Sequence, residues 1–257
     1  MKLLAPVMLL CVCGAARATF VDVPATLRAC GDAKEFAPYT YTQPGNAEVA
    51  GYNADVLRAI LAESGRSISI TLLPWNRCLT LAAAGDYAIV LDAAQLGTRA
   101  PRFAFPRPHY SITPALIYRK AALASVPRAP AELAQYTQCQ IAGWDYSMSG
   151  FAPRPNSVVL LPTLKGALAK LRAGECQIVL ADEELLARLQ DGGPDLGAGK
   201  EALGVLRLPW RAKVPMYLMV SRARPFADAL VELLSAGIER MEKSGEAARL
   251  LARHLQP

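Results

Sequence analysis

The sequence predicts an α/β protein of two lobes, and three observations carry that prediction. The run 87–91 is wholly apolar and turns polar at Asp92, as a strand does when both its faces are buried in a parallel sheet covered by helices. The run also has an echo. Ala84-Gly85-Asp86-Tyr87-Ala88-Ile89-Val90-Leu91 recurs as Ala173-Gly174-Glu175-Cys176-Gln177-Ile178-Val179-Leu180, with Asp92 after the first copy and Asp182 after the second. A repeated helix–glycine–acid–strand–aspartate unit gives each lobe one such strand end. Finally, two extended apolar segments, Pro114–Arg119 and Val214–Ser221, bracket a complete α/β pattern, so the second lobe is inserted into the first.

Each element follows from local signals. Residues 26–30 form a strand that ends at Gly31-Asp32, and the next loop carries Phe36 and Tyr39 beside Pro38. Pro44-Gly45-Asn46 is a turn signal. Asn53 is placed to cap a helix whose Val56, Leu57, Ile60 and Leu61 share one face, with Gly65 ending it. Residues 67–73 are a strand, and Pro74-Trp75-Asn76 leads into a helix over 77–84 capped by Asn76. With the strand 87–91 this makes strand–helix–strand–helix–strand, a doubly wound lobe whose ligands sit at strand carboxyl ends, just where Asp92 and Arg99 follow.

Beyond Pro114–Arg119 lies a Pro/Ala-rich connector, 121–130. Strand 139–143, loop 144–155 and strand 158–161 open the second pattern. Thr163 caps a helix over 164–172 and Gly174 closes it. Strand 177–180 follows, then a helix over 182–189 ended by Asp191-Gly192-Gly193-Pro194 and a short strand over 206–210. From Pro225 the chain is helical, with Phe226, Leu230, Leu233, Leu234 and Met241 on one face, a break at Ser244-Gly245 and a last helix over 246–255. The division expected is a first lobe from 19–113 and 214–257 and a second lobe over 114–213, with the hinge near 112–119 and 210–216. Two lobes joined by two strands make a hinge and a cleft, the geometry of a protein that closes on a small ligand.

Composition narrows the class. The 257 residues are 53% hydrophobic with a mean hydropathy of +0.19, enough for a sizeable core in one or two domains. Met1-Lys2, the apolar run 3–13 and the small-x-small site Ala16-Arg17-Ala18 form a secretory signal peptide over 1–18, cut before Thr19. The run is too short to span a bilayer permanently. Leu10 and Val12 precede its two cysteines where lipoprotein processing needs a small residue, so a soluble exported protein is expected. Losing Lys2 and Arg17 lowers the formal charge from +6 to +4. The cationic residues are scattered, which fits a solvated surface and gives nucleic-acid binding no support.

Cys30, Cys78, Cys139 and Cys176 remain. An even count in an exported chain favours disulfides, and four cysteines allow three pairings. One bond per lobe would pair Cys30 with Cys78 and Cys139 with Cys176; free buried cysteines are the alternative. The mature chain lacks a C-x-x-C motif and has only His109 and His254, so no metal or cofactor is implied.

Several stretches resemble the periplasmic solute-binding proteins of polar amino-acid ABC importers, bacterial family 3, and together they cover essentially the whole mature chain. Glu35-Phe36-Ala37-Pro38-Tyr39 looks like the family's aromatic-x-Pro-aromatic loop, and Gly51-Tyr52-Asn53-Ala54-Asp55-Val56-Leu57 is similar to its Gly-Phe-x-x-Asp-Leu helix start. Thr98-Arg99, Phe105-Pro106 and Tyr110 resemble its Thr-x-x-Arg…Phe-Ser…Pro-Tyr segment. Gly174 to Asp182 matches its Gly-x-x-Asp-x-x-x-x-Asp spacing at the last position. The resemblance implies a two-lobed type II periplasmic-binding-protein fold with two hinge strands and a ligand cleft between the lobes.

It also implies roles. Arg99 would grip a ligand α-carboxylate with two parallel charge-assisted donors, and Asp182, from the other lobe, would accept the α-ammonium. Phe36 and Trp75 would wall the pocket. Two positions depart from the family, which has Gly or Ser and then Thr or Ser seven and five residues before this arginine. Here they are Asp92 and Ala94. A carboxylate-holding hydroxyl is therefore missing, and an aspartate facing the cleft favours a cationic group. Ala142–Ser149 replaces a Gly-Thr/Ser loop, in which Ser147 and backbone N–H groups could meet an anion. Arg77, Arg102, Trp144 and Tyr146 are further cleft candidates, and His109 is placed at the surface or hinge.

The function implied is a non-catalytic, monomeric periplasmic protein that delivers a small polar solute to a membrane ABC permease. No nucleophile–base arrangement, phosphate loop or metal cluster is visible. Two alternatives stand beside it. One is an enzyme on the same fold resembling cyclohexadienyl dehydratases, with an acid such as Glu175, Asp92 or Asp182 protonating a leaving hydroxyl. The other is the ligand-sensing component of a signalling system.

Overall fold

A computed structural model describes residues 22–34, 36–43, 45, 48–122, 127–142, 144, 146, 154–184 and 202–255. The chain is organised by two sheets. In the first, β1 (Thr26–Asp32) lies between β4 (Ser67–Leu73) and β5 (Ile89–Ala94), all parallel. The late strand β13 (Val214–Ser221) runs antiparallel beside β5, and it also pairs with β6 (Phe103–Ala104) and β7 (Tyr110–Ile112). A two-stranded ribbon, β2 (Tyr41–Thr42) with β3 (Val49–Ala50), leads into the first helix.

The unbroken apolar run of β5 is explained by its two covered faces. Ile89 and Leu91 pack with α1 (Tyr52–Glu63) and α5 (Ala227–Lys243), which supply Leu57, Ile60, Leu230 and Leu234. Val90 points the other way, into the cluster built by Cys78 and Ala82 of α2 (Trp75–Ala83). The last helix, α6 (Glu246–Leu255), adds Leu250 to the first of these cores.

The second sheet repeats the plan. Its order is β10-β9-β11-β8-β12, where β10 (Val158–Leu161), β9 (Gln138–Ile141) and β11 (Ile178–Asp182) are parallel. β8 (Pro114–Arg119) and β12 (Leu203–Arg207) complete it in antiparallel sense. Ala167, Leu168 and Leu171 of α4 (Leu164–Ala173) cover one face, and Leu133 of the short α3 (Pro130–Leu133) sits on the other. Thr163 caps α4 by accepting the Gly166 N–H at 3.1 Å. The echo is structural: α2–Gly85–β5 and α4–Gly174–β11 are equivalent units, and both glycines turn at positive φ, 92° and 77°, where a side chain is strained. Each sheet carries one disulfide, Cys30–Cys78 in the first and Cys139–Cys176 in the second.

Several expectations are corrected. Asp92 does not lie past its strand; β5 runs to Ala94 and carries Asp92 at φ 53°. Its register with β13 slips between Tyr217 and Met219, so a bulge re-aims the side chain while pairing continues on either side. Asp182 likewise ends β11. Pro74 rather than Asn76 stands at the start of α2, and Gly51 rather than Asn53 at the start of α1, which frees Asn53 for another role. Two expected strands shift: the one expected over 139–143 is β9 at Gln138–Ile141, and the one expected over 206–210 is β12 at Leu203–Arg207. β8 and β13 are full sheet members, and among the described residues the chain passes between sheets at Thr113 and across 208–213. The helix expected over 182–189 lies outside the described residues beyond 184.

Candidate functional site

A cavity of about 150 Å³ opens between the two sheets, at the carboxyl ends of β1, β5 and β11. The first lobe contributes Asp32 from the end of β1, Trp75 from the first turn of α2, Asp92 and Ala94 from β5, and Arg99 from the turn beyond it. Lys34 and Phe36 come from the loop after β1. Across the gap stand Asp182, Trp144 and Tyr146. Phe36 meets Trp144 edge to face at 6.1 Å, so an aromatic pair joins the two walls.

Arg99 is buried. Its Nη1 donates to the Ala94 carbonyl at 2.8 Å, and its guanidinium lies 5.3 Å from the Trp75 ring centre. These contacts hold a planar cation against the cavity without a flexible stem in water. Asp182 is buried too, on the opposite wall. Of the expected ligand residues, the structure therefore brings Arg99, Asp182, Phe36, Trp75, Asp92 and Ala94 around one cavity, while Ser147 lies outside the described residues. Trp144 and Tyr146 also line it; Arg77 and Arg102 are exposed and do not.

Asp92 is held by a hydrogen-bond network. Its Oδ1 accepts the Asn53 Nδ2–H and the Tyr110 hydroxyl, each at 2.6 Å, and the Thr40 hydroxyl donates to the same carboxylate. Asn53 Nδ2 also donates to Thr40 Oγ1 at 3.0 Å, and Asn53 Oδ1 accepts from His109 Nε2. Burial pushes the Asp92 carboxyl up to about 6; the three donors oppose that rise, and the Asp32 charge adds to it. Burial also raises Asp32. It lowers His109 to about 3 and lifts Tyr110 well above its usual value, so both are neutral at pH 7. His109 Nδ1 is buried without a hydrogen-bond partner among the described residues, as expected of a neutral ring that donates through Nε2.

His109 is thus an interior residue, stacked on Tyr52 at 5.7 Å and not at the surface or hinge. Sequence reasoning also missed Asp32 and Lys34 as lining residues. Asp32 carried a usable signal, since it is an acid at a strand's carboxyl end like Asp182. Asn53 carried none, because its sequence position reads equally as a helix cap.

The family model of the bacterial extracellular solute-binding proteins, family 3, matches residues 29–257, and the chain belongs to that family. Its α/β fold is that of the type II periplasmic binding proteins. Among solved structures it is similar to the amino acid ABC transporter substrate-binding protein AbpA from Streptococcus pneumoniae bound to L-arginine, at 19% identity and TM-score 0.72, covering 90% of this chain and 94% of that one. A histidine kinase sensor domain is similar at 20% identity and TM-score 0.71, over 90% and 98% of the two chains. The arginine-, lysine-, histidine-binding protein ArtJ from Geobacillus stearothermophilus is similar at 15% identity and TM-score 0.70, over 89% and 94%. No curated protein matches the chain by sequence.

Proposed function

We propose that the protein is a periplasmic substrate-binding protein, exported by a signal peptide cut after Ala18, that captures an amino acid or related amine or acid for an ABC importer without chemically changing it. The observation that carries this reading is the placement of Arg99 on one wall of the cavity and Asp182 on the other. A zwitterion spanning them would bind the closed cleft better than the open one, and differential affinity of that kind is what drives closure. In this reading Arg99 takes the carboxylate, Asp182 the ammonium, and Phe36 and Trp75 enclose the stem. Substrates named for similar structures, L-arginine among them, fit the same division of charge.

The similarity to a histidine kinase sensor domain favours a second reading, in which the same cleft reports its ligand to a membrane receptor. A thermal-shift screen of the purified protein against amino acids, polyamines and small organic acids tests the binding step common to both. A ligand that binds only the native state raises the melting temperature in proportion to its logarithmic excess over Kd. The expected result is a concentration-dependent rise with a zwitterionic or cationic solute that is recovered unchanged. No rise with any of them, or turnover of one, contradicts the proposal.

A further inference from the structure

Asp92 occupies a conformation that a residue with a side chain rarely adopts, φ 53° on a bulged strand. Such strain persists where surrounding structure imposes it, and it concentrates at binding sites. The surroundings here are a one-way network. Asn53 cannot turn its amide round, because its Oδ1 accepts from His109 Nε2 while its Nδ2 donates to Thr40 and Asp92. Thr40 and Tyr110 pass their own protons to the same carboxylate. Every donor runs towards Asp92, and Asp92 is one of the residues that line the cavity. A network that ends on a carboxylate favours its ionised form.

Resting on the binding reading above, we propose that Asp92 is a specificity-determining residue, a preset anion on the first lobe's wall that receives a second cationic group of the ligand. Asp182 lines the same cavity from the other lobe. The ligand that satisfies both is an amino acid with an ammonium or guanidinium at the end of its side chain, with the stem against Trp75 and Phe36. Burial of Asp92 supports this independently, since its raised proton affinity means the folded protein gains from a cation that neutralises it.

L-Arginine and L-citrulline separate the possibilities, because they match in shape and differ in side-chain charge. Calorimetric titration of wild-type protein at pH 7.5 is expected to favour arginine by about tenfold or more. Arginine binding should weaken as pH falls through about 6. Asp92→Asn is expected to erase both the preference and that pH dependence while raising the melting temperature at pH 7.5. Tyr110→Phe, which removes one donor, should move the loss of binding to higher pH. His109, Tyr39 and Tyr110 stay neutral across this range because burial disfavours their charged forms. Asp32, Lys34, Arg99 and Asp182 are common to wild type and variant, so the comparison isolates Asp92. Equal binding of arginine and citrulline by wild type, or an unchanged preference in Asp92→Asn, overturns the inference and leaves the binding reading standing. Binding of neither compound, nor of any solute in the screen, overturns both.

Discussion

Asp92 and His109 share Asn53 as a neighbour and titrate in opposite senses. His109 binds no proton in the folded protein until about pH 3, whereas the unfolded chain takes one up near 6.5, so its contribution to stability is lost as pH falls through that window. Asp92 keeps its proton in the folded protein up to about 6, whereas the unfolded chain releases it near 3.8, so its contribution is lost as pH rises. Between pH 4 and 6 the two slopes oppose each other. Asp92→Asn removes one of them. Relative to wild type, the variant's stability should then climb by about 1.4 kcal/mol per pH unit from pH 4 to 6, the slope of one proton. Denaturant melts at half-unit pH steps check this, and parallel profiles for the two proteins contradict it. At this scale the sequence was informative where charge stood at or near the end of an apolar run, as for Arg99, Asp92 and Asp182. It was silent about Asn53 and His109, whose roles depend on which long-range neighbours the fold supplies.

Among the elements, α2 shows how packing sets the site. Cys78 bonds to Cys30 of β1. Trp75 begins the same helix one turn earlier, and Asp32 ends the same strand two residues later. The bond therefore fixes two lining residues through the elements that carry them. It closes a loop of 48 residues, for which restriction of the unfolded chain stabilises the fold by about 2–4 kcal/mol. Replacing both cysteines by alanine should lower the denaturation midpoint accordingly, and an unchanged midpoint contradicts that role. Most elements were legible because their signals were local: the unbroken apolar run that leads into β5, the Thr163 cap and the two turn glycines. Boundaries failed where backbone geometry overrode residue preference. Gly51 at φ 113° begins α1 although Asn53 is the better capping residue, and a bulge carries β5 two residues past its polar switch.

At the scale of the molecule, the two lobes are similar units that each present an aspartate and aromatic groups to a shared cavity. Glu184 accepts both the N–H and the hydroxyl of Thr113, each at 2.8 Å, at the single residue where the chain first changes sheets. Two-lobed architecture was readable from the echo and the inserted pattern, because both are properties of order along the chain. Much of the polar and aromatic lining of the cavity was readable too; Asp32 and Lys34 were not, since their place there depends on how the loops fold over the strand ends. The central claim is that one solute is held from both walls, and titration calorimetry with L-arginine tests it most directly. Wild-type protein is compared with Arg99→Ala and Asp182→Asn, one substitution on each wall. Saturable binding by wild type, weakened about tenfold or more by either substitution alone, is the predicted result. No binding by wild type, or full affinity retained after either substitution, would contradict it.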